Sequence, residues 1–470
     1  MKICLIQPRY KDMGLSPSPP LGLCHLASIL EKNGYRVSIF DMNIDGKNIE
    51  TLLRELKDKK PEIVGISCTT CLFERTVEIG KVVKKCFPDI LLVVGGTHPS
   101  AIGEKMLKLC PFFDVLVYGE GEYTMLEIAK RYESKRGFDG VKGSMYRKGD
   151  KIISNKPRQL IENLDTLPLP AWHLVEMKKY DRFHIVTSRG CPHNCFFCYK
   201  ATFERKWRTH SIEKILEMIT GLVERYKVRR IWLADDDFAV DKRRVERIMD
   251  NIIKGNVDVE FDYVPMRADN VINLGLPLLK KMKKAGVKHI YVGVESVDPK
   301  ILKFVRKDIT IPQVEKAIKL IKASGIELTL SFMIGLPGDT YEKFKRNMQF
   351  VKKYKIKLSW HIARPDPDSE FWEWVKKNGR FLIAEDSYPA NAFSGEGVKS
   401  LSLVFDTEDF TAKERIRAFN EATKLTLRRN IYFAIHHPIN TVRYLTTYDG
   451  KEALRKFVLY NFGLKKAFIS

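Results

Sequence analysis

A chain of 470 residues is too long for one ordinary hydrophobic core, and a composition of 44% hydrophobic and 30% charged residues is that of a folded protein of about two to four domains. The formal net charge of +23 admits nucleic acid, an anionic membrane surface or an acidic partner, but Lys and Arg are spread along the chain among Asp and Glu, which favours a lysine-rich surface. The apolar runs are short and interrupted, so no transmembrane segment is expected. The opening "KICLIQP" ends at Gln7-Pro8 and reads as a strand rather than a signal peptide, and a cytoplasmic protein is expected.

Over residues 1–135 strand-like and helix-like pieces alternate. The strands "KICLIQP", "RVSIFD", "EIVGISC", "ILLVVGG" and "VLVYGE" are apolar and β-branched with little polar alternation, as strands buried on both faces should be. Between the first two, Leu23, Leu26, Ala27 and Leu30 follow helical spacing and Gly34 stops the helix. Five such βα units predict a doubly wound, flavodoxin-like parallel sheet, whose ligands bind at the carboxyl ends of the strands. Residues 136–180 open with Gly, Lys and Asp and close on "LDTLPLPAWHL", and read as a linker. From 181 to 380 a second series runs through "HIVTSRG", "RIWLADDDF", "EFDYVPM", "HIYVGVES", "LTLSFMIGLP" and "LSWHIARP". Six βα repeats with polar residues just past the strand ends predict a partial (β/α)6 barrel. Residues 381–470 read as a small helical region that packs on the barrel, although its basic, aromatic end also allows peripheral membrane contact.

Nine cysteines in a chain with no sign of secretion do not predict disulfides. Cys4, Cys24, Cys68, Cys71, Cys86 and Cys110 are scattered through apolar segments and read as small hydrophobes. The other three, Cys191, Cys195 and Cys198, stand together in "SRGCPHNCFFCYK", right after the first barrel strand. A tetrahedral structural zinc wants four protein ligands, and no cysteine follows Cys198. A 4Fe–4S cluster held by three cysteines keeps one iron open to an outside ligand.

That motif, C-x3-C-x-aromatic-C with Phe197 as the aromatic, resembles the signature of the radical S-adenosylmethionine (SAM) enzymes. The resemblance implies that Cys191, Cys195 and Cys198 hold the cluster, whose open iron binds the methionine part of SAM. A single electron then releases a 5′-deoxyadenosyl radical. It also implies that Glu295, with Ser296 beside it, meets the SAM ribose at the end of "IYVGVES", and that Asp235, Asp236 and Asp237 in "LADDDF" stand where many members contact the SAM amino group, with Asp236 as the candidate, although the family's common Gly-Gly-Glu is absent and the three carboxylates could equally cap the next helix. "MIGLPGDT" is similar to the family's loop after strand five, with Asp339 or Thr340 as the cap of the next helix.

The first unit, through "PPLGLCHLASILEKNGYRVSIFD", "VGISCTT", "VVGGTHPS" and "YGEGE", resembles the cobalamin-binding domain that precedes many radical SAM enzymes. The likeness implies a corrinoid held by Ser67, Thr69 and Thr70 at its nucleotide tail, by Gly95 and Gly96 at its ring, and by the loop Gly119-Glu120-Gly121. The family's D-x-H-x-x-G is missing after the first strand, and neither His25 nor His98 replaces it, so cobalamin without a protein imidazole on cobalt is expected. Together these features imply a cobalamin-dependent radical SAM enzyme that methylates an unactivated carbon: one SAM methylates cob(I)alamin, a second gives the radical, and the substrate radical takes the methyl group.

Ring formation or carbon–carbon coupling, with a lipid among the candidate substrates, is the nearest alternative. A tRNA methylthiotransferase would need three further cluster cysteines and a terminal β-barrel, and a non-catalytic corrinoid or iron–sulfur carrier would not need the barrel. No interleaved basic and aromatic platform for nucleic acid is visible. The partners expected are a low-potential electron donor and a substrate among protein side chains, lipids and small metabolites. His361 and Arg364 in "HIARPDPDS" are candidates to shape its pocket.

Overall fold

The computed structural model describes residues 1–10, 17–199, 205–367, 369–384, 387–388 and 403–436, with side chains through residue 429. The first sheet contains β1 (Lys2–Gln7), β2 (Arg36–Asp41), β3 (Ile63–Ser67), β4 (Leu91–Gly95) and β5 (Val115–Val117), parallel and in the order β2-β1-β3-β4-β5. This is the doubly wound order that the five βα units predict. Ile3, Cys4, Leu5 and Ile6 of β1 are buried in succession because helices cover both faces. One of them, Leu21–Lys32, buries Leu23, Cys24, Ala27 and Leu30, and Gly34 takes a left-handed φ of 85° just beyond its end.

The sheet continues where a linker was expected. β6 (Ser144–Lys148) and β7 (Lys151–Ser154) add an antiparallel hairpin to the edge of β5. A two-residue Gly149-Asp150 turn with Gly149 at φ 59° joins them, and Tyr146 is buried against the core. Gly-Asp between alternating segments is a hairpin signal that the charged composition of 142–151 disguises.

The second sheet is parallel, in the order β15-β14-β13-β12-β11-β8. Its strands are β8 (His184–Ile185), β11 (Arg230–Leu233), β12 (Glu260–Met266), β13 (His289–Glu295), β14 (Glu327–Ile334) and β15 (Lys357–Ile362). Six strands with helices outside form the expected partial barrel. "HIVTSRG" is not one strand: after β8 the chain leaves the barrel, and β9 (Ser188–Arg189) pairs antiparallel with β10 (Arg208–Thr209). Thr340 caps the helix Tyr341–Lys352 by accepting from Lys343 N–H. Asp339 instead accepts Gly335 N–H (2.9 Å) and Thr340 N–H (3.0 Å), which folds the turn on itself.

The helix Ala412–His436 packs on β15 and on Tyr341–Lys352, as expected of a helical region lying on the barrel. Its Arg415 is fully buried. The guanidinium donates to the carbonyls of Phe410 (2.9 Å) and Phe405 (3.3 Å) and lies 4.2 Å from the Phe405 ring centroid. The basic segment 437–470 lies outside the described residues. No helix among the described residues is long and apolar enough to cross a membrane.

Candidate functional site

The two sheets point their carboxyl ends at each other. The loop after β5 meets the chain after β8 through Glu120 and Arg189 (2.8 Å), and one buried apolar cluster joins Ile66, Cys68 and Val94 at the ends of β3 and β4 to Leu336 and Ala363 just past β14 and β15. All the cofactor candidates of the sequence stand at these ends.

In the first sheet, Ser67 ends β3 and Thr69 and Thr70 follow it, Gly95 ends β4 and Gly96 follows it, and Gly119 and Glu120 come after β5, so the structure brings them to one rim. Gly96 is exposed with φ 122°, and a Cβ there would meet Cys68 O at 2.4 Å. Only glycine fits, and the bare backbone lets a broad planar ligand approach. Gly96→Ala is expected to cost about 1–3 kcal/mol of stability, read as a lowered denaturation midpoint, because the clash is with backbone and the φ is unfavourable.

Thr70 Oγ1 lies 3.2 Å from Nδ1 of His98. That imidazole is fully buried between the rings of Phe73 and Tyr388, with centroids 4.8 and 4.6 Å away, so it is a packing residue. His25 is likewise buried. Burial pushes both imidazoles down to about 3. A histidine lowered from about 6.5 contributes stability at high pH that is lost as pH falls from the unfolded toward the folded value. His98→Asn is therefore expected to unfold more easily at pH 8 yet to lose less on acidification. The gap between variant and wild type should narrow by about 1.4 kcal/mol per pH unit between pH 6 and 4, measured by denaturant titration at each pH.

Glu120 does not face the rim. Its carboxylate is buried, accepting from Arg189 Nη1 (2.8 Å), Arg208 Nη1 (2.9 Å) and Ile161 N–H (2.7 Å). Glu122 receives the other arm of Arg189 at 2.6 Å. Burial would push the Glu122 carboxyl up, but Arg189 outweighs it and holds that carboxyl below its ordinary range. Arg189 and Arg208 are cross-strand partners in β9–β10. A buried two-by-two ion network thus joins the β5 loop of the first sheet to the start of the cysteine loop.

The cysteine loop is held by its backbone. Phe196 N–H donates to Val305 O (2.9 Å) and Cys198 N–H to Cys195 O (3.2 Å). Cys191 and Cys195 are half-buried and Cys198 is exposed, whereas Cys4, Cys24, Cys68 and Cys110 are buried as expected of small hydrophobes. Cys71 is half-buried and Cys86 exposed. Among the described residues no three His, Cys, Asp or Glu side chains are gathered as a metal-holding set, so the fit to a cluster rests on the chemistry of the donors and their surroundings. Three thiols on one short loop suit iron–sulfur ligation, and two buried cations stand beside it, Arg267 paired with Asp269 and Lys307 paired with Glu295. Arg267, just past β12, puts Nη1 3.8 Å from Cys195 Sγ and donates through Nη2 to Lys307 O (2.6 Å). Lys307 is buried, donates to Glu295 Oε1 (3.0 Å) and lies 5.9 Å from the Phe197 ring centroid.

Glu295 ends β13 in the left-handed region at φ 69°, costly for a residue with a Cβ and typical of functional sites. Ser296 is buried, its Oγ accepting from Asp298 N–H (3.1 Å). The three aspartates after β11 separate by role. Asp235 is buried and takes hydrogen bonds from the Thr187 and Ser188 hydroxyls; burial pushes its carboxyl up. Asp237 is buried and accepts from Ala239 N–H (3.1 Å) and Asn270 Nδ2 (2.7 Å). Asp236 alone is exposed. Inside the barrel, Nε2 of His361 lies 2.9 Å from both Tyr291 Oη and Ser359 Oγ. Arg189, Arg208, Glu122, Arg267 and Lys307 escaped the sequence reading. Arg189, inside the quoted cysteine motif, Glu122, the last residue of "YGEGE", and Arg267, the first residue past a barrel strand, carried a positional signal.

Two family models match this chain: the Radical SAM superfamily over residues 185–351 and the B12 binding domain over residues 15–129. The protein from Pyrococcus horikoshii named uncharacterized methyltransferase PH0819 is 33% identical over 393 residues, 81% of this chain and 84% of its own. The anaerobic magnesium-protoporphyrin IX monomethyl ester cyclase of Rubrivivax gelatinosus is 29% identical over 79% of this chain and 70% of its own. In fold, the cobalamin-dependent S-adenosylmethionine radical enzyme OxsB, solved with aqua-cobalamin and S-adenosylmethionine, superposes with a TM-score of 0.74 at 19% identity, covering 99% of this chain and 73% of that one. The chain belongs to the cobalamin-dependent radical SAM enzymes, a family with methyltransferase members, and its cofactors are a 4Fe–4S cluster, SAM and cobalamin.

Proposed function

We propose that this enzyme transfers a methyl group to an unactivated carbon. The observation that carries the reading is the meeting of the two sets of strand ends, which gives a substrate held between them access to both cofactors. When bound, the cluster and SAM supply a hydrogen-abstracting radical, and cobalamin supplies the methyl group.

The chain's own residues do the positioning. Residues 1–135, completed by the hairpin at 144–154, carry the corrinoid, with Ser67, Thr69 and Thr70 for its polar tail and Gly95, Gly96 and Gly119 where backbone meets the ring. Within 181–380, Cys191, Cys195 and Cys198 hold the cluster, Phe197 lies beside it, and Glu295, with Ser296 next to it, orients the SAM ribose. Asp236 is the aspartate assigned to the SAM amino group, since it is the exposed one of the three. Glu120 serves the junction instead of the corrinoid. The buried network at Arg189 and Arg208 closes one side of the space between the sheets, and keeping water out protects a radical from side reactions.

The test needs no substrate. Reconstituted anaerobically with iron, sulfide and cobalamin, strongly reduced and given SAM, the protein is expected to release both 5′-deoxyadenosine and S-adenosylhomocysteine. Deoxyadenosine alone would favour ring formation or carbon–carbon coupling, the reading that the similarity to the cyclase supports. Neither product would leave only a carrier of cofactors.

A further inference from the structure

The cysteine loop comes to the surface beside an unusual aromatic residue. Among the described residues four large apolar side chains are exposed, and Phe304 is the most exposed of them at 47%. Its ring packs edge-on against Phe196, between Cys195 and Cys198, with centroids 5.3 Å apart. Trp374 completes the aromatic rim at 6.3 Å. Phe196 turns away from the barrel interior: it packs on Phe371 at 5.5 Å, and its N–H is bonded to Val305, the residue after Phe304.

Around this rim two cations are matched by acids, and two exposed lysines lie on the Phe304 helix itself. Lys300 and Lys303 are exposed on the helix Pro299–Phe304, with Lys300 one turn before Phe304 and on its face. Arg306 places its guanidinium 5.6 Å from the Phe196 ring centroid and pairs with Glu370. Asp308 is the exposed acid on the same segment, and Glu373 pairs with Lys376.

We propose that this face docks a small acidic one-electron carrier protein. The inference rests on Cys191, Cys195 and Cys198 holding the cluster. A cluster that must be reduced needs an entry point where its loop meets solvent, and here one aromatic contact and one backbone hydrogen bond join the surface to that loop. Electron-transfer encounters use small interfaces, below about 1,200 Å². An aromatic centre ringed by charge gives such an interface anchorage and steering. The step is balanced by the carrier alone: its reduced flavin or iron–sulfur group loses one electron, the cluster gains it, and no bond or proton moves.

The experiment uses the anaerobically reconstituted full chain and a photoreduced flavodoxin of net negative charge. Cluster reduction is followed by stopped-flow absorbance and electron paramagnetic resonance, and binding by titration. The double reversal Lys300→Glu with Lys303→Glu is expected to slow reduction by flavodoxin at least tenfold, to weaken binding and to flatten the dependence of the rate on salt. Phe304→Ala should slow it severalfold at unchanged charge. Iron content and reduction by titanium(III) citrate should match wild type in both. The control reversal Lys280→Glu with Lys284→Glu changes net charge equally, at the far end of the helix Ala268–Lys284, and should have no effect. Unchanged rates in the Lys300/Lys303 and Phe304 variants, or equal slowing in the control, would overturn the proposal. A wild-type protein that titanium(III) citrate cannot reduce would instead overturn the cluster assignment.

Discussion

Replacing Glu120 with alanine is expected to lower stability by about 3–5 kcal/mol, the cost of breaking a buried ion pair by removing one partner. The magnitude comes from what is left behind. Arg189 and Arg208 are both buried, and both direct Nη1 at the lost carboxylate. Arg189 would keep Glu122, but Arg208 would keep no carboxylate among the described residues, just the carbonyls of Ile161 (2.7 Å) and Lys206 (3.5 Å). Ile161 N–H would lose its acceptor as well. Glu120→Gln should fall between alanine and wild type, since an amide oxygen can still accept from Ile161 or one guanidinium but carries no charge. Thermal unfolding followed by circular dichroism checks the order wild type, Gln, Ala. Because the network spans the junction, faster proteolytic nicking between residues 155 and 182 should accompany the alanine variant. A drop no larger than a surface substitution gives, within about 0.5 kcal/mol, would mean that the network does not hold the sheets together.

Both sheets were legible because buried parallel strands write themselves as apolar runs, and each run from "KICLIQP" to "LSWHIARP" contains a strand. What was not legible is long-range pairing. Nothing local distinguishes Glu120, consumed by two arginines about 70 and 90 residues on, from a glutamate that greets a ligand; both look like a strand-end acid. The same limit applies to "LADDDF": three identical side chains acquire three roles only when Thr187, Ser188 and Asn270 arrive from elsewhere. The hairpin at 144–154 was missed for a different reason. As an edge element it needs apolar residues on one face only, and its exposed face reads as linker. The cysteine motif was readable because metal ligation on a short loop is a local pattern; the cations that surround it come from later strand ends.

Glu295 carries the second large effect, and it separates function from folding. Its carboxylate is tied to Lys307, and its backbone sits at φ 69°. Burial pulls the Lys307 ammonium down, but the Glu295 carboxylate, together with Cys195, more than offsets this, and the lysine is held above its ordinary value. Removing the carboxylate leaves a buried cation, so Glu295→Ala and Glu295→Gly should both destabilise, by about 3–5 kcal/mol on the scale of a broken buried pair. The two variants should nevertheless differ. Glycine occupies the left-handed region without strain, whereas alanine pays about 1–2 kcal/mol there, so the glycine variant should be the more stable by that amount. Glu295→Gln is the functional probe. In the proposed site a ribose diol donates to this carboxylate, and hydrogen bonds to a charged acceptor contribute about 1.5–3 kcal/mol. The amide should therefore weaken SAM binding about 10- to 100-fold, measured by equilibrium dialysis on the reconstituted protein, with cluster iron content unchanged. If SAM affinity survives while stability falls, Glu295 is a structural partner of Lys307 alone, and the strain in its backbone must be explained by the turn at the end of β13.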